Sequence, residues 1–174
     1  MKLYYTGVGS RTIPIDVAHQ MTHIAHILQE MYTLRSGAAS GSDESFELGC
    51  TNNNKEIYIP WKGFNHNDSK LYYQSDIAFD IASQYHPNWK NLKDSVKKLH
   101  ARNVHQVLGL DCSTPSSFLI CYTQDGCESH KSRTRNTGGT GQAISIASEH
   151  GIEIINMKNL LWKERFEDIT GIII

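Results

Sequence analysis

The sequence predicts an α/β fold, a Rossmann-like, doubly wound and mostly parallel sheet of five or more strands. Three observations predict it. Short apolar runs alternate with amphipathic helical stretches, the pattern of successive βαβ units. Loops rich in glycine and small residues follow the runs at 7–11, 36–44 and 137–142. The last of them, Thr137-Gly138-Gly139-Thr140-Gly141-Gln142, stands between the apolar run at 117–123 and a helical stretch at 142–150, and a second apolar run follows at 152–157. In doubly wound sheets ligands bind at the carboxyl ends of the strands, so loops of this kind are expected to gather at one edge.

The elements follow in chain order. Residues 1–7 are too short and too polar for a signal peptide and read as a first strand. Pro14 suits the first turn of a helix, where a missing N–H costs nothing. Val17, Met21, Ile24, Leu28 and Met31 then recur at spacings of four and three, an apolar stripe on a helix of about five turns. His19, His23 and His26 share that helix, but at ~100° per residue they fall opposite the stripe, on the solvated face, so no native metal site is expected.

Residues 32–35 form a second strand. In the loop that follows, Ser42 or Asp43 is placed to cap a helix running to about Cys50. Residues 55–60 read as a third strand, closed by Pro60, with Trp61 just past its end. From 69 to 109 the pattern is helical, broken at His86-Pro87-Asn88-Trp89, and reads as an insertion between strands three and four. Strand four spans 117–123. The helix at 142–150 carries Ala143, Ile146 and Ala147, a small face for close packing, and Gly151 as its C-cap. Strand five, a short helix near 159–166 and an apolar tail, Ile172-Ile173-Ile174, end the sequence.

At 174 residues, 39% hydrophobic and 20% charged, the chain suits one domain with a full core. No apolar run approaches the ~20 residues that span a bilayer. A net charge of -1 argues against a broad basic surface for nucleic acid. Cys50, Cys112, Cys121 and Cys127 form no CxxC pair and read as reduced thiols of a cytoplasmic protein.

The loops carry the candidate chemistry. Glycine lets a backbone approach a ligand, and the unpaired amides opening a helix suit a phosphate. Candidate ligand-binding residues are therefore Gly7, Gly9, Ser10 and Arg11 in the first loop, and Thr137, Gly138, Gly139, Thr140, Gly141 and Gln142 in the third. Lys131, Arg133 and Arg135 precede that third loop and would favour a multiply charged ligand. The middle loop supplies Arg35, Ser36, Gly37, Ser42 and Asp43. Its acids repel phosphate, which assigns it to ribose hydroxyls or a base, or else to helix capping alone. Asp43 and Glu47, four apart on one helix face, are the candidate catalytic carboxylates. Trp61 either stacks on a base or covers the core edge. Arg102 and Asn103, polar in an apolar pattern, reach the site or bind loop carbonyls. No cofactor is called for. The spacing departs from GxGxxG, and the Walker, nucleophile-elbow and HExxH motifs are absent.

Gly7-Val8-Gly9-Ser10-Arg11, then Leu34-Arg35-Ser36-Gly37-Ala38-Ala39-Ser40-Gly41-Ser42-Asp43 with Glu47, then Ile57-Tyr58-Ile59-Pro60-Trp61 and Thr137-Gly138-Gly139-Thr140-Gly141 together resemble the SLOG superfamily. That group includes the Rossmann-like domain of the DNA-processing protein A (Smf) family and the LOG phosphoribohydrolases. The resemblance is nearest to small stand-alone DprA-like proteins of bacteriophages and covers most of the chain outside 69–109. It implies a nucleotide-binding Rossmann-like fold and a homo-oligomer, which the apolar tail fits. LOG enzymes continue past the glycines with two glutamates, where this chain has Ile144 and Ser145.

Three functions follow as expectations. The first is a protein that binds, senses or sequesters a nucleotide or nucleotide derivative. The second is a hydrolase or transferase acting on a nucleotide N-glycosidic or phosphate bond through Asp43 or Glu47. The third is a single-stranded DNA binder of the DprA type, whose affinity would fall steeply with salt.

Overall fold

A computed structural model describes residues 3–174; Met1 and Lys2, at the start of the expected first strand, lie outside the described residues. The elements run β1 (Leu3–Gly9), α1 (Ile15–Leu28), β2 (Tyr32–Ser36), α2 (Ser42–Leu48), β3 (Lys55–Ile57), α3 (Asp76–Gln84), α4 (Asp94–Leu108), β4 (Phe118–Tyr122), α5 (Thr140–Glu149), β5 (Glu153–Asn156) and α6 (Trp162–Thr170). The strands form one sheet in the order β3-β2-β1-β4-β5, every pair parallel. The expected doubly wound fold is therefore present. From β1 the chain builds one side of the sheet through β2 and β3, then returns across it to place β4 and β5 on the other.

Both faces of the sheet are covered, which explains the near-continuous apolar runs of its central strands. Side chains of β4 alternate with the period of a strand. Phe118 and Ile120 join a core with Tyr5, Met21, Ile24, Leu28, Phe46 and Phe166, under α1, α2 and α6. Leu119 and Cys121 join the opposite core with Val8, Val104, Val107, Ile144 and Ile146, under α4 and α5.

Several expectations are corrected in detail. The apolar stripe of α1 is buried at Val17, Met21, Ile24 and Leu28, but the helix ends at Leu28, about one turn early. Met31 lies beyond it and is exposed, because the chain must turn there to enter β2 beside β1. Pro14 precedes the helix in extended backbone (ψ 147°) instead of opening its first turn. His19, His23 and His26 are exposed as the wheel predicts. Neither Ser42 nor Asp43 caps α2. Gly41 does, at φ 83°, where a Cβ would strike the Arg11 backbone. That close passage turns Ser42 away from its helix: its amide and hydroxyl both donate to the Ser10 carbonyl, at 3.2 and 3.0 Å.

The helical stretch expected between strands three and four is present as α3 and α4, and the structure divides it into two roles. α4 is the crossover between β3 and β4, with Ala101, Val104, Val107 and Leu108 buried in the sheet-facing core. α3 alone is an addition to that crossover, and it packs Ala78 and Ala82 into the same core. The last helix begins at Trp162, later than expected, and buries Trp162 and Phe166. In the tail, Ile172 and Ile174 pack against the core edge while Ile173 is exposed. No helix among the described residues is long and apolar enough to cross a membrane.

Candidate functional site at the strand switch point

The chain leaves β1 and β4 in opposite directions along the sheet, so a crevice opens at their carboxyl ends. A cavity of about 530 Å³ occupies it, within the range of small-molecule sites. Its walls are the loop after β1, the start of α2, α4 from Val96 to Gln106, and residues 136–140 leading into α5.

The loop after β1 is tied to β4 by the Ser10 amide, which donates to the Tyr122 carbonyl at 2.9 Å. Gly9 permits this: at φ +155° an added Cβ would stand 2.8 Å from that carbonyl. Arg11 follows, exposed at the cavity, with no ion pair among the described residues. The amides of Arg11 and Thr12 likewise meet no acceptor among the described residues.

Asp125 shapes the second loop. Its carboxylate accepts from the hydroxyls of Thr134 and Thr137, both at 2.6 Å, and from the Cys127 amide at 3.3 Å. Burial works to raise its pKa, but these hydrogen bonds outweigh it and hold the group below its ordinary value. Thr137 is buried by this clamp, and Gly138 then turns the chain at φ 65°, ψ -153°. The turn delivers the first amides of α5 to the cavity. Those of Gly139 and Thr140 have no acceptor among the described residues, so donors and the positive helix end face the same space.

One carboxyl stands among these donors. Asp43 is 3% exposed and lines the cavity. Arg102 Nη1 lies 3.7 Å from its Oδ2, and Gln106 Nε2 donates to it at 3.4 Å. Burial raises its pKa from 3.8 to about 6, against the opposing pull of Arg102, the Ala39 and Gly37 amides and Gln106. Burial also lowers the pKa of Arg102, less the help of Asp43. Arg102 Nη1 donates to the Gly37 carbonyl, while its buried Nε has no partner among the described residues.

The fourth wall belongs to α4. Val96, Leu99, His100 and Asn103 line it, and their spacing of i, i+3, i+4 and i+7 is one helix face. Behind them Gln142 joins three helices. It donates from Nε2 to the Ala82 carbonyl at 3.0 Å, accepts from Asn103 Nδ2 at 3.2 Å, and sits 2.6 Å from His100 Nδ1.

Of the residues singled out in the sequence, the cavity gathers Gly9, Ser10, Arg11, Asp43, Arg102, Asn103, Thr137, Gly138, Gly139 and Thr140. The others serve elsewhere. Gly7 lets Phe46 and Leu34 pack against β1, since a Cβ would meet them at 2.7 and 2.9 Å. Arg35 pairs with Glu56 at 3.0 Å, donates to the Thr114 carbonyl and stacks over Tyr4. Ser36 donates to the Gly7 carbonyl, and Gly37 makes room for Arg102. Trp61 packs edge-on against Phe64. Gly141 lies under Arg133, which donates to the Tyr85 carbonyl. Glu47 faces a separate depression, held by Lys55 at 3.1 Å and by Asn67 at 3.2 Å. The two candidate carboxylates therefore do not meet. His100, Leu99, Val96 and Gln106 were not anticipated; their common helix face was the signal that could have found them.

Fold and cavity together define a Rossmann-like α/β protein with a pocket at its strand switch point. Comparison with protein-family models, with curated proteins and with solved structures finds no match to this chain.

Proposed function

We propose that this protein binds a nucleotide or nucleotide derivative in the switch-point cavity. One observation carries the reading: two backbone segments, 11–12 and 139–140, offer unpaired amides to a single cavity that also holds the Arg11 guanidinium and one buried carboxyl. Amides at a helix start and a free arginine suit phosphate. Asp43 suits a hydroxyl or an amine, since a carboxylate accepts hydrogen bonds and repels phosphate. The resemblance to SLOG domains leads to the same ligand class. Protein purified from a nucleotide-rich host, then denatured, should release a nucleotide identifiable by mass spectrometry. Isothermal titration showing no nucleotide binding below millimolar would sink the reading.

A second reading is favoured by Asp43 itself. A carboxyl with a pKa near 6, facing a cavity, is matched to general acid or base work close to neutral pH. On that reading the ligand is cleaved or transferred at its N-glycosidic or phosphate bond, with Asp43 acting alone, because Glu47 lies elsewhere. Asp43→Asn should lower turnover at least a hundredfold; a variant with full turnover removes Asp43 from the mechanism. Single-stranded DNA binding is the weakest of the three readings, given the net charge of -1, and a low-salt gel shift without retardation ends it.

A further inference from the structure

Gln142 fixes the hydrogen-bonding chemistry of the α4 wall. Its Nε2 faces the Ala82 carbonyl at 3.0 Å, and only the amide nitrogen can donate there. Its Oε1 therefore faces α4 and lies 2.6 Å from His100 Nδ1. An oxygen acceptor requires that ring nitrogen to carry the hydrogen. In the neutral ring Nε2 is then a bare lone pair, since the one side-chain hydrogen bond of His100 among the described residues runs through Nδ1. The ring is held neutral chiefly by burial, and by His86, Arg133 and Arg102 around it; only the bond to Gln142 opposes them.

The rest of this wall has the same character. Asn103 directs Nδ2 to Gln142 and keeps its Oδ1 as an acceptor. Val96 and Leu99 add aliphatic surface on the same helix face. A phosphate oxygen set against His100 Nε2 would meet a lone pair. A flat ring with an N–H donor would pack on the aliphatic side chains and satisfy the acceptor. The amides and Arg11 stand on other walls of the same cavity.

Resting on the nucleotide reading above, we infer that the His100 wall is a base subsite. It selects a base with an exocyclic amino group, through a hydrogen bond from that amine to His100 Nε2.

The test is isothermal titration of the full chain with three pairs of 5′-monophosphates that differ at the amine: AMP against purine riboside monophosphate, GMP against IMP, and CMP against UMP. In at least one pair the amino member should bind about tenfold more tightly or better, the size expected when a buried acceptor loses its donor. His100→Asn keeps a donor toward Gln142 and removes the ring acceptor, so it should bring that ratio close to one. A merely structural His100 would weaken both members alike and leave the ratio unchanged, which overturns the assignment. Equal affinities within every pair that binds overturn the base subsite and leave the nucleotide reading standing. No binding by any of the six overturns the base subsite, and release of no nucleotide from the denatured protein then overturns the nucleotide reading as well. Should the variant fail to fold, nitrogen-15 spectra of the wild-type ring decide: the bound amino nucleotide should shift Nε2 and preserve the Nδ1–H tautomer, and an unmoved Nε2 overturns the proposal.

Discussion

Asp43 brings a carboxyl into the core of the site, and its partners only partly offset the loss of water. With a folded pKa near 6 against the ordinary 3.8, the native state binds the proton more tightly than the unfolded chain does. Stability from this group is therefore full below about pH 4 and declines as pH rises through 6, by on the order of 3 kcal/mol across that window. Asp43→Asn has no such titration. Urea unfolding of both proteins at pH 4, 5, 6 and 7 should show wild type losing stability relative to the variant as pH rises; parallel curves would contradict the burial argument. The place of Asp43 was legible in the sequence because a helix start after a small-residue loop has few positions that face the strand ends. The fate of Arg35 and Glu47 was not legible. Parallel pairing of β2 with β3 sets Arg35 directly beside Glu56, and β3 likewise brings Lys55 to Glu47. Both arrangements depend on strand order and register, which no local pattern records.

At the scale of the element, the loop before α5 separates two uses of glycine. Gly138 adopts φ 65° and ψ -153°, a region other residues enter at a cost, although an added Cβ would meet nothing within 4 Å. Gly138→Ala should destabilise the fold by ~1–3 kcal/mol through backbone strain alone. Gly139 has φ -62° and ψ -26°, ordinary helical values, and its Cβ would also stand in open space. Gly139→Ala should therefore leave stability unchanged or raise it by up to ~1 kcal/mol, while weakening the ligand whose approach to the amides it obstructs. Denaturant melts and titration of the two variants, side by side, test the division. A Gly139→Ala protein with unaltered affinity would mean that the ligand stays clear of these amides. The glycine cluster itself was plain in the sequence, as was the helix it opens. α4 was half legible: its helicity showed in the apolar spacing, but its role as the sheet-covering crossover did not. An amphipathic helix looks the same whether it covers a sheet or caps a lid. What decides is the non-local contact of Val104 and Val107 with Val8 and Leu119 in one core.

At the scale of the whole molecule, the cavity is assembled from segments far apart in sequence, 10–12, 39–43, 96–106 and 136–143, which the 3-2-1-4-5 strand order brings together. The parallel βαβ pattern foretold a carboxyl-edge site, but the switch between β1 and β4 became visible only once the order was known. A ligand held there contacts both halves of the sheet, so its binding energy must be lost on global unfolding. At a hundredfold excess over Kd it should add ~2.7 kcal/mol to stability, a rise of roughly 5–10 °C in Tm for a chain of this size. Hydrogen exchange locates the effect. Protection should increase together in the loop after β1, residues 96–106 of α4 and residues 136–142, and not around Glu47 or Trp61, which lie outside the cavity. A polymer such as single-stranded DNA lying across the surface would instead protect exposed segments and lose its effect as salt rises. Slowed exchange in only one of the three segments would mean that the ligand does not bridge the switch point, and the proposed site would have to be redrawn around that segment alone.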